Sequence, residues 1–154
     1  MTLILIPNTR EDILAQIDAM PPDQREQVSP VWLDWVRTAP PDDAWAFGFS
    51  IVDADTGTRV GTCAFKSEPS DDGVVEIAYG VSSEFERRGI ATWAAGAITR
   101  RAFESDRVQI VRAHTLDNEN ASARVLDKNG FQRLGTVIDP EDGEVWRWER
   151  RRPI

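Results

Sequence analysis

The spacing of apolar residues changes period several times along the chain, and each change marks an element. Leu3 to Ile6 reads as a short strand ended by Pro7. Asn8 or Thr9 is a helix cap for residues 10–19, and Pro21-Pro22 interrupts that helix. Residues 31–38 form a second helical piece before Pro40-Pro41. Trp45, Phe47, Phe49 and Ile51 alternate, which predicts a half-buried strand over 45–51. Asp55-Thr56-Gly57 supplies turn chemistry, so 59–66 is the returning strand of a hairpin. After a polar loop at 67–73, Val75, Ile77, Tyr79 and Val81 alternate in a third strand. Val74, Glu76, Ala78 and Gly80 occupy its other face.

The period then becomes helical. Ile90, Ala94, Ala97, Ile98 and Ala102 recur over about three turns. Residues 108–115 read as a strand and 121–129 as a helix, stopped by Gly130 as a left-handed cap with Phe131 packed behind it. A last hairpin, 131–138 with 144–150, turns at Asp142-Gly143. The order is β-α-α-β-β-β-α-β-α-β-β, an α+β protein with helices packed on a mixed sheet. No repeat or long linker divides residues 1–154, which read as a single domain.

Composition narrows the function. A chain of 154 residues with 41% hydrophobic content and six tryptophans is large enough for a real core. A net charge of −8 argues against general nucleic-acid binding, because a phosphate backbone would be repelled. Cys63 is alone, so neither an internal disulfide nor a cysteine metal cluster is expected. Asp53 with Asp55, and Asp139 with Glu141 and Asp142, read as turn residues before a metal site. No apolar run approaches membrane-spanning length. The N-terminal residues lack the basic region and apolar length of a signal peptide. A cytoplasmic protein without membrane, nucleic-acid or metal partners is the expectation.

The stretch at 74–103 is the most telling. A strand runs into a short charged turn containing Gly89, and a helix starts at once. The N–H groups of Arg88, Gly89, Ile90, Ala91 and Thr92 lie at or near the helix start, where no intrahelical partner exists. The helix dipole adds partial positive charge, Gly89 allows close approach, and Arg87 and Arg88 bring full charges. Such a turn suits a phosphate or pyrophosphate.

Here the chain resembles the GNAT superfamily of acetyl-CoA-dependent N-acetyltransferases. Glu86-Arg87-Arg88-Gly89-Ile90-Ala91 is similar to the family's Gln/Arg-x-x-Gly-x-Gly/Ala motif, with Glu86 departing from its first position. A second segment, from Asn120-Ala121-Ser122 to Lys128-Asn129-Gly130-Phe131, resembles the family's later helix. The resemblance implies a GNAT-like, mostly antiparallel sheet with helices on both faces. It implies acetyl-CoA between splayed parallel strands at 76–81 and 111–115. Pantetheine would bond the backbone near Tyr79, Gly80 and Val81, and the pyrophosphate would sit on the turn. Asn120, the expected cap of the later helix, would touch the pantetheine arm.

Acetyl transfer from a thioester to an amine needs a neutral amine, a donor for the oxyanion and a proton for the departing thiolate. Glu76, on a small apolar strand face with Ala78 and Gly80, is the first candidate base; the alternative is a hydrogen-bonded strand glutamate. His114, the only histidine, lies near the end of the next strand and is either a proton carrier or structural. Many family members protonate the thiolate with a tyrosine in the later helix, and Leu126 stands there instead. Ser122, one turn earlier on the same face, is the substitute acid or a packing residue near the helix terminus. Tyr79 points away from Glu76 and reads as core. The expected acceptor is a primary amine on a protein N-terminus or small molecule. The alternative is a non-catalytic acyl-CoA-binding module on the same fold. A homodimer through the terminal strands is compatible with the pattern.

Overall fold

The computed structural model describes residues 1–154. In chain order the elements are β1 (Leu3–Pro7), α1 (Arg10–Asp18), α2 (Pro22–Glu26), α3 (Pro30–Thr38), α4 (Ala44–Phe47), β2 (Phe49–Asp53), β3 (Thr58–Phe65), β4 (Val74–Val81), α5 (Ile90–Phe103), β5 (Ile110–Leu116), α6 (Ala121–Lys128), β6 (Gln132–Asp139) and β7 (Gly143–Arg151). The seven strands form one sheet in the order β1-β2-β3-β4-β5-β7-β6, and every pair is antiparallel except β4 with β5. No helix is long and apolar enough to cross a membrane.

One sheet face carries the main core. Phe49, Ile51, Phe65, Val75, Ile77 and Val111 meet Ile90, Ala94, Ile98 and Ala102 of α5 and Leu126 of α6. Gly96 makes room for α6: a Cβ there would come 2.8 Å from the side-chain oxygen of Asn129. Asn129 donates to the carbonyls of Thr92 (3.1 Å) and Val125 (2.9 Å), tying the end of α6 to the start of α5. Gly130 takes the left-handed cap conformation at φ 78°, with Phe131 buried behind it.

In the N-terminal third the strand at 3–6 and the helices at 10–19 and 31–38 are observed as β1, α1 and α3, and two features depart from the predicted pattern. The strand expected over 45–51 is instead the short helix α4 followed by β2. Asp43 caps α4 by accepting from the Trp45 N–H at 3.0 Å. Trp45 and Phe49 are one helical turn apart, and both reach the Phe65 ring. Phe47 turns away into a second cluster with Ile13, Ile17 and Val36. The alternation at 45–51 is therefore a helical turn joined to a strand. Gly48 makes the joint at φ 62°, where a Cβ would lie 2.7 Å from the Cys63 carbonyl. Helix α2 has no counterpart in the predicted pattern; Pro22 occupies its first turn, where a missing N–H costs nothing.

Cys63 lies in the main core, and burial pushes its thiol up to about 12. The thiolate is the reactive form, so a disulfide-exchange reagent at neutral pH should leave the folded protein unlabelled and titrate one thiol after denaturation. Rapid labelling of the native chain would contradict this placement.

The feature that positions the site is a parting of strands. β4 and β5 pair at Val74 with Ile110, Val75 with Val111 and Glu76 with Arg112, and no further. Beyond Glu76, β4 stays with β3 to Val81, and β5 stays with β7 to Leu116. A wedge opens between them, roofed on one face by the start of α5 and by α6.

Candidate active site

A groove of about 630 Å³ fills this wedge. Its lining runs from Tyr79, Gly80 and Val81 on β4, through Arg87 and Gly89, to Ile90, Ala91 and Thr92 at the start of α5. Along the turn, Arg87 (φ 63°) and Gly89 (φ 77°) both adopt the left-handed conformation. A non-glycine residue held there is uncommon, and such backbone turns its N–H groups into a concave nest. None of the N–H groups from Arg87 to Thr92 donates to another group of the protein. A Cβ added at Gly80 or Gly89 would meet nothing within 4 Å, so both glycines open onto free space. Arg124 and Lys128, one turn apart on α6, add positive charge to the same groove. The donors, the open glycines and this local charge in an acidic chain fit a pyrophosphate.

On the opposite sheet face, polar side chains converge. Glu76 Oε2 lies 3.1 Å from Lys66 Nζ and 3.0 Å from His114 Nδ1. Arg147 Nε donates to His114 Nε2 at 3.1 Å. A guanidinium N–H can only donate, so Nε2 offers its lone pair and the ring proton sits on Nδ1, pointing at Glu76. Both anchors grip Oε2, and Oε1 has no partner in the protein. Register explains the cluster: Lys66 and Glu76 are cross-strand neighbours, joined by a 2.9 Å bond from the Lys66 N–H to the Glu76 carbonyl. His114 likewise faces Arg147, and next to it Arg112 pairs with Glu149 at 2.6 Å.

A second cavity, about 460 Å³, is lined by Lys66, His114, Asn120, Ala121, Ser122 and Asp139 among others. Ala121 and Ser122 also line the first groove, so the start of α6 is the boundary between the two spaces. Lys66 further borders a 530 Å³ pocket with Trp32 and Trp35 of α3. Asp139 accepts from the backbone N–H groups of Glu141 and Asp142, which hold its carboxyl below the usual range and mark it as a turn residue.

The structure thus brings Glu76 and His114 into contact and places Ser122 at the boundary. Asn120 caps α6, accepting from the Ala123 N–H at 2.9 Å, and faces the second cavity rather than the groove. Arg88 leaves the groove and lies over the Phe85 ring at 5.5 Å. Tyr79 does point away from Glu76, yet its side chain is not simply core: it borders the groove beside Ser122. Burial pushes its hydroxyl up to about 12, against a smaller lowering from the Ser122 side chain. Leu126 is fully buried. Trp148 is core and donates to Thr115 Oγ1 at 3.0 Å, and Trp146 is half-buried under Arg133. Lys66, Arg124, Lys128 and Arg147 stand outside the candidates that the sequence offers. The spacing of Arg124 and Lys128 puts them on one helix face, whereas Lys66 and Arg147 become visible only through strand register.

Comparison with known proteins agrees with this geometry. The family described as acetyltransferase (GNAT) domain matches residues 3–132, and the chain belongs to that family. It is 27% identical over 93 residues, 60% of its length, to the uncharacterized N-acetyltransferase p20 of Bacillus licheniformis. The chain spans about half the length of the curated relatives it matches. Among solved structures it is similar to a chimera of the spermidine N-acetyltransferase SpeG from Vibrio cholerae and hSSAT, with a TM-score of 0.74, 15% identity, and coverage of 98% of this chain and 96% of that one. It is also similar to AAC(6')-Ib in complex with ribostamycin and coenzyme A, with a TM-score of 0.70, 18% identity, and coverage of 99% and 94%. At these identities the likeness is one of fold.

Proposed function

We propose that the chain is an acetyl-CoA-dependent N-acetyltransferase that passes the acetyl group directly to a primary amine. The observation that carries the reading is Glu76. Its carboxylate is anchored through Oε2 and open at Oε1, and it stands where β4 and β5 part. Tyr79, Gly80 and Val81 would hold the pantetheine arm, and the N–H groups from Arg87 to Thr92 the pyrophosphate, with Arg124 and Lys128 adding charge. Bound there, acetyl-CoA supplies an acetyl group activated as a thioester.

The chain's own residues account for the protons. Glu76 Oε1 takes one from the acceptor ammonium, whose ordinary pKa is about 8 for an α-amine and about 10.4 for a lysine. His114 has its lone pair engaged by Arg147, so its part is to hold Glu76 rather than to receive the proton. Ser122 Oγ, at the boundary of the two cavities, meets the departing thiolate, with the protonated Tyr79 hydroxyl behind it. The amine enters through the space bordered by Lys66, His114 and Trp35. Family neighbours crystallised with ribostamycin, or named for spermidine, support an amine acceptor. A lone buried cysteine fits a reducing, cytoplasmic setting.

The test is calorimetric titration with acetyl-CoA, followed by thiol release over a panel of primary amines. Binding with turnover on at least one amine supports the reading. Tight binding without turnover on any amine would favour an acyl-CoA-binding module, which the buried Leu126 at the usual acid position would suit. The double substitution Ser122→Ala with Tyr79→Phe should lower turnover by about tenfold or more while coenzyme affinity stays within a factor of a few. Unchanged turnover would remove both hydroxyls from the proton path.

A further inference from the structure

The chain has sixteen arginines and two lysines. A guanidinium keeps its proton and is no nucleophile, so Lys66 and Lys128 are the only side chains that could accept an acetyl group as amines. Each borders one of the two central spaces: Lys128 the groove, and Lys66 the cavity beside it. Their surroundings differ. Lys128 has no carboxylate within ion-pair distance, whereas Lys66 Nζ stands 3.1 Å from Glu76 Oε2. The Lys66 side chain is 54% exposed, so it is free to swing within the cavity. That cavity shares Ala121 and Ser122 with the groove, so no element of the fold separates the amine from the boundary.

We propose that Lys66 is a self-acetylation site: the chain transfers an acetyl group from acetyl-CoA to its own Lys66 Nζ. This rests on the reading of Glu76 as the base. The ammonium passes one proton to Glu76, and the freed lone pair forms the C–N bond as the thioester C–S bond breaks. Nitrogen then gives up a second proton. One of the two ends on the coenzyme A sulfur and the other in solution, leaving an amide on Lys66. The amide is neutral and does not pass the acetyl group on. It deletes the ion pair to Glu76 and fills the space where an external amine would stand, so the modification limits the enzyme's own activity.

The full-length protein is incubated with acetyl-CoA, without any added amine, and acetylated peptides are mapped by mass spectrometry. Acetylation is expected at Lys66 ahead of Lys128 and the Met1 amine. Its rate per molecule should not change with protein concentration, and it should slow on the order of a hundredfold in Glu76→Gln. Equal labelling of the three amines, a rate that rises with protein concentration, or indifference to Glu76→Gln would overturn the proposal. The same preparation is assayed for thiol release with external amines. Turnover there with Lys66 unmodified sinks self-acetylation alone, and no turnover with no acetyl-Lys66 sinks the reading of Glu76 as well.

Discussion

Gly89→Glu should abolish detectable coenzyme binding while leaving a folded protein. Gly89 sits at φ 77° at the start of α5, with open space where a side chain would project. A left-handed non-glycine residue costs about 1–2 kcal/mol, which a core of this size absorbs as a modest fall in melting temperature. The new carboxylate is favourable to the bare helix start, because it meets the positive end of the dipole. It is unfavourable to a pyrophosphate in the same place. Two unit charges about 5 Å apart at an effective dielectric of about 20 repel by about 3 kcal/mol. That is about two decades of affinity before any loss of backbone contacts. Calorimetric titration with acetyl-CoA, beside a thermal melt, checks the result. Wild-type affinity in Gly89→Glu would place the coenzyme elsewhere.

Glu76→Gln carries the second large effect. The amide keeps the shape of the side chain and removes the carboxylate proposed to accept the amine proton, so turnover at neutral pH should fall on the order of a hundredfold or more. Coenzyme affinity should hold, because the side chain lies on the sheet face opposite the groove lining of Tyr79 and Ile90. Lys66 and His114 lose their charged partner, and the change swaps a carboxylate oxygen for an amide within a partly exposed cluster, so only a small stability loss is expected. Steady-state thiol release and a thermal melt, read together, separate a lost base from a lost fold. An unfolded variant would show in the melt, and a folded one with wild-type turnover would take Glu76 out of the mechanism.

How far the sequence could be read depends on the range of the interactions involved. The turn at Gly89 was legible because its signals are local: an alternating strand, a glycine among charges, and a helical period starting at Ile90. Gly130 and Phe131 were legible for the same reason. Glu76 could be assigned to a strand face from alternation, but its meeting with His114 needs the parallel pairing of β4 with β5, which alternation does not encode. Lys66 and Arg147 enter the cluster only through the registers of β3 on β4 and β5 on β7. The helix at 31–38 is legible, but α2 is not, because Pro22 reads as a chain break and instead occupies its first turn, and the strand expected over 45–51 is α4 joined to β2. There, Trp45 and Phe49 repeat at a spacing that strand and helix turn share.

In the proposed mechanism, catalysis turns on one proton, the one that leaves the amine for Glu76. The direct measurement is the pH dependence of kcat/KM for acetyl transfer to a primary amine, in wild type and in Glu76→Gln. The wild type should hold its rate down through neutral pH. The variant should fall steeply as pH drops and close part of the gap at high pH, where the amine reaches its neutral form unaided. Parallel profiles for the two proteins across the whole range would contradict the assignment of Glu76 as the base.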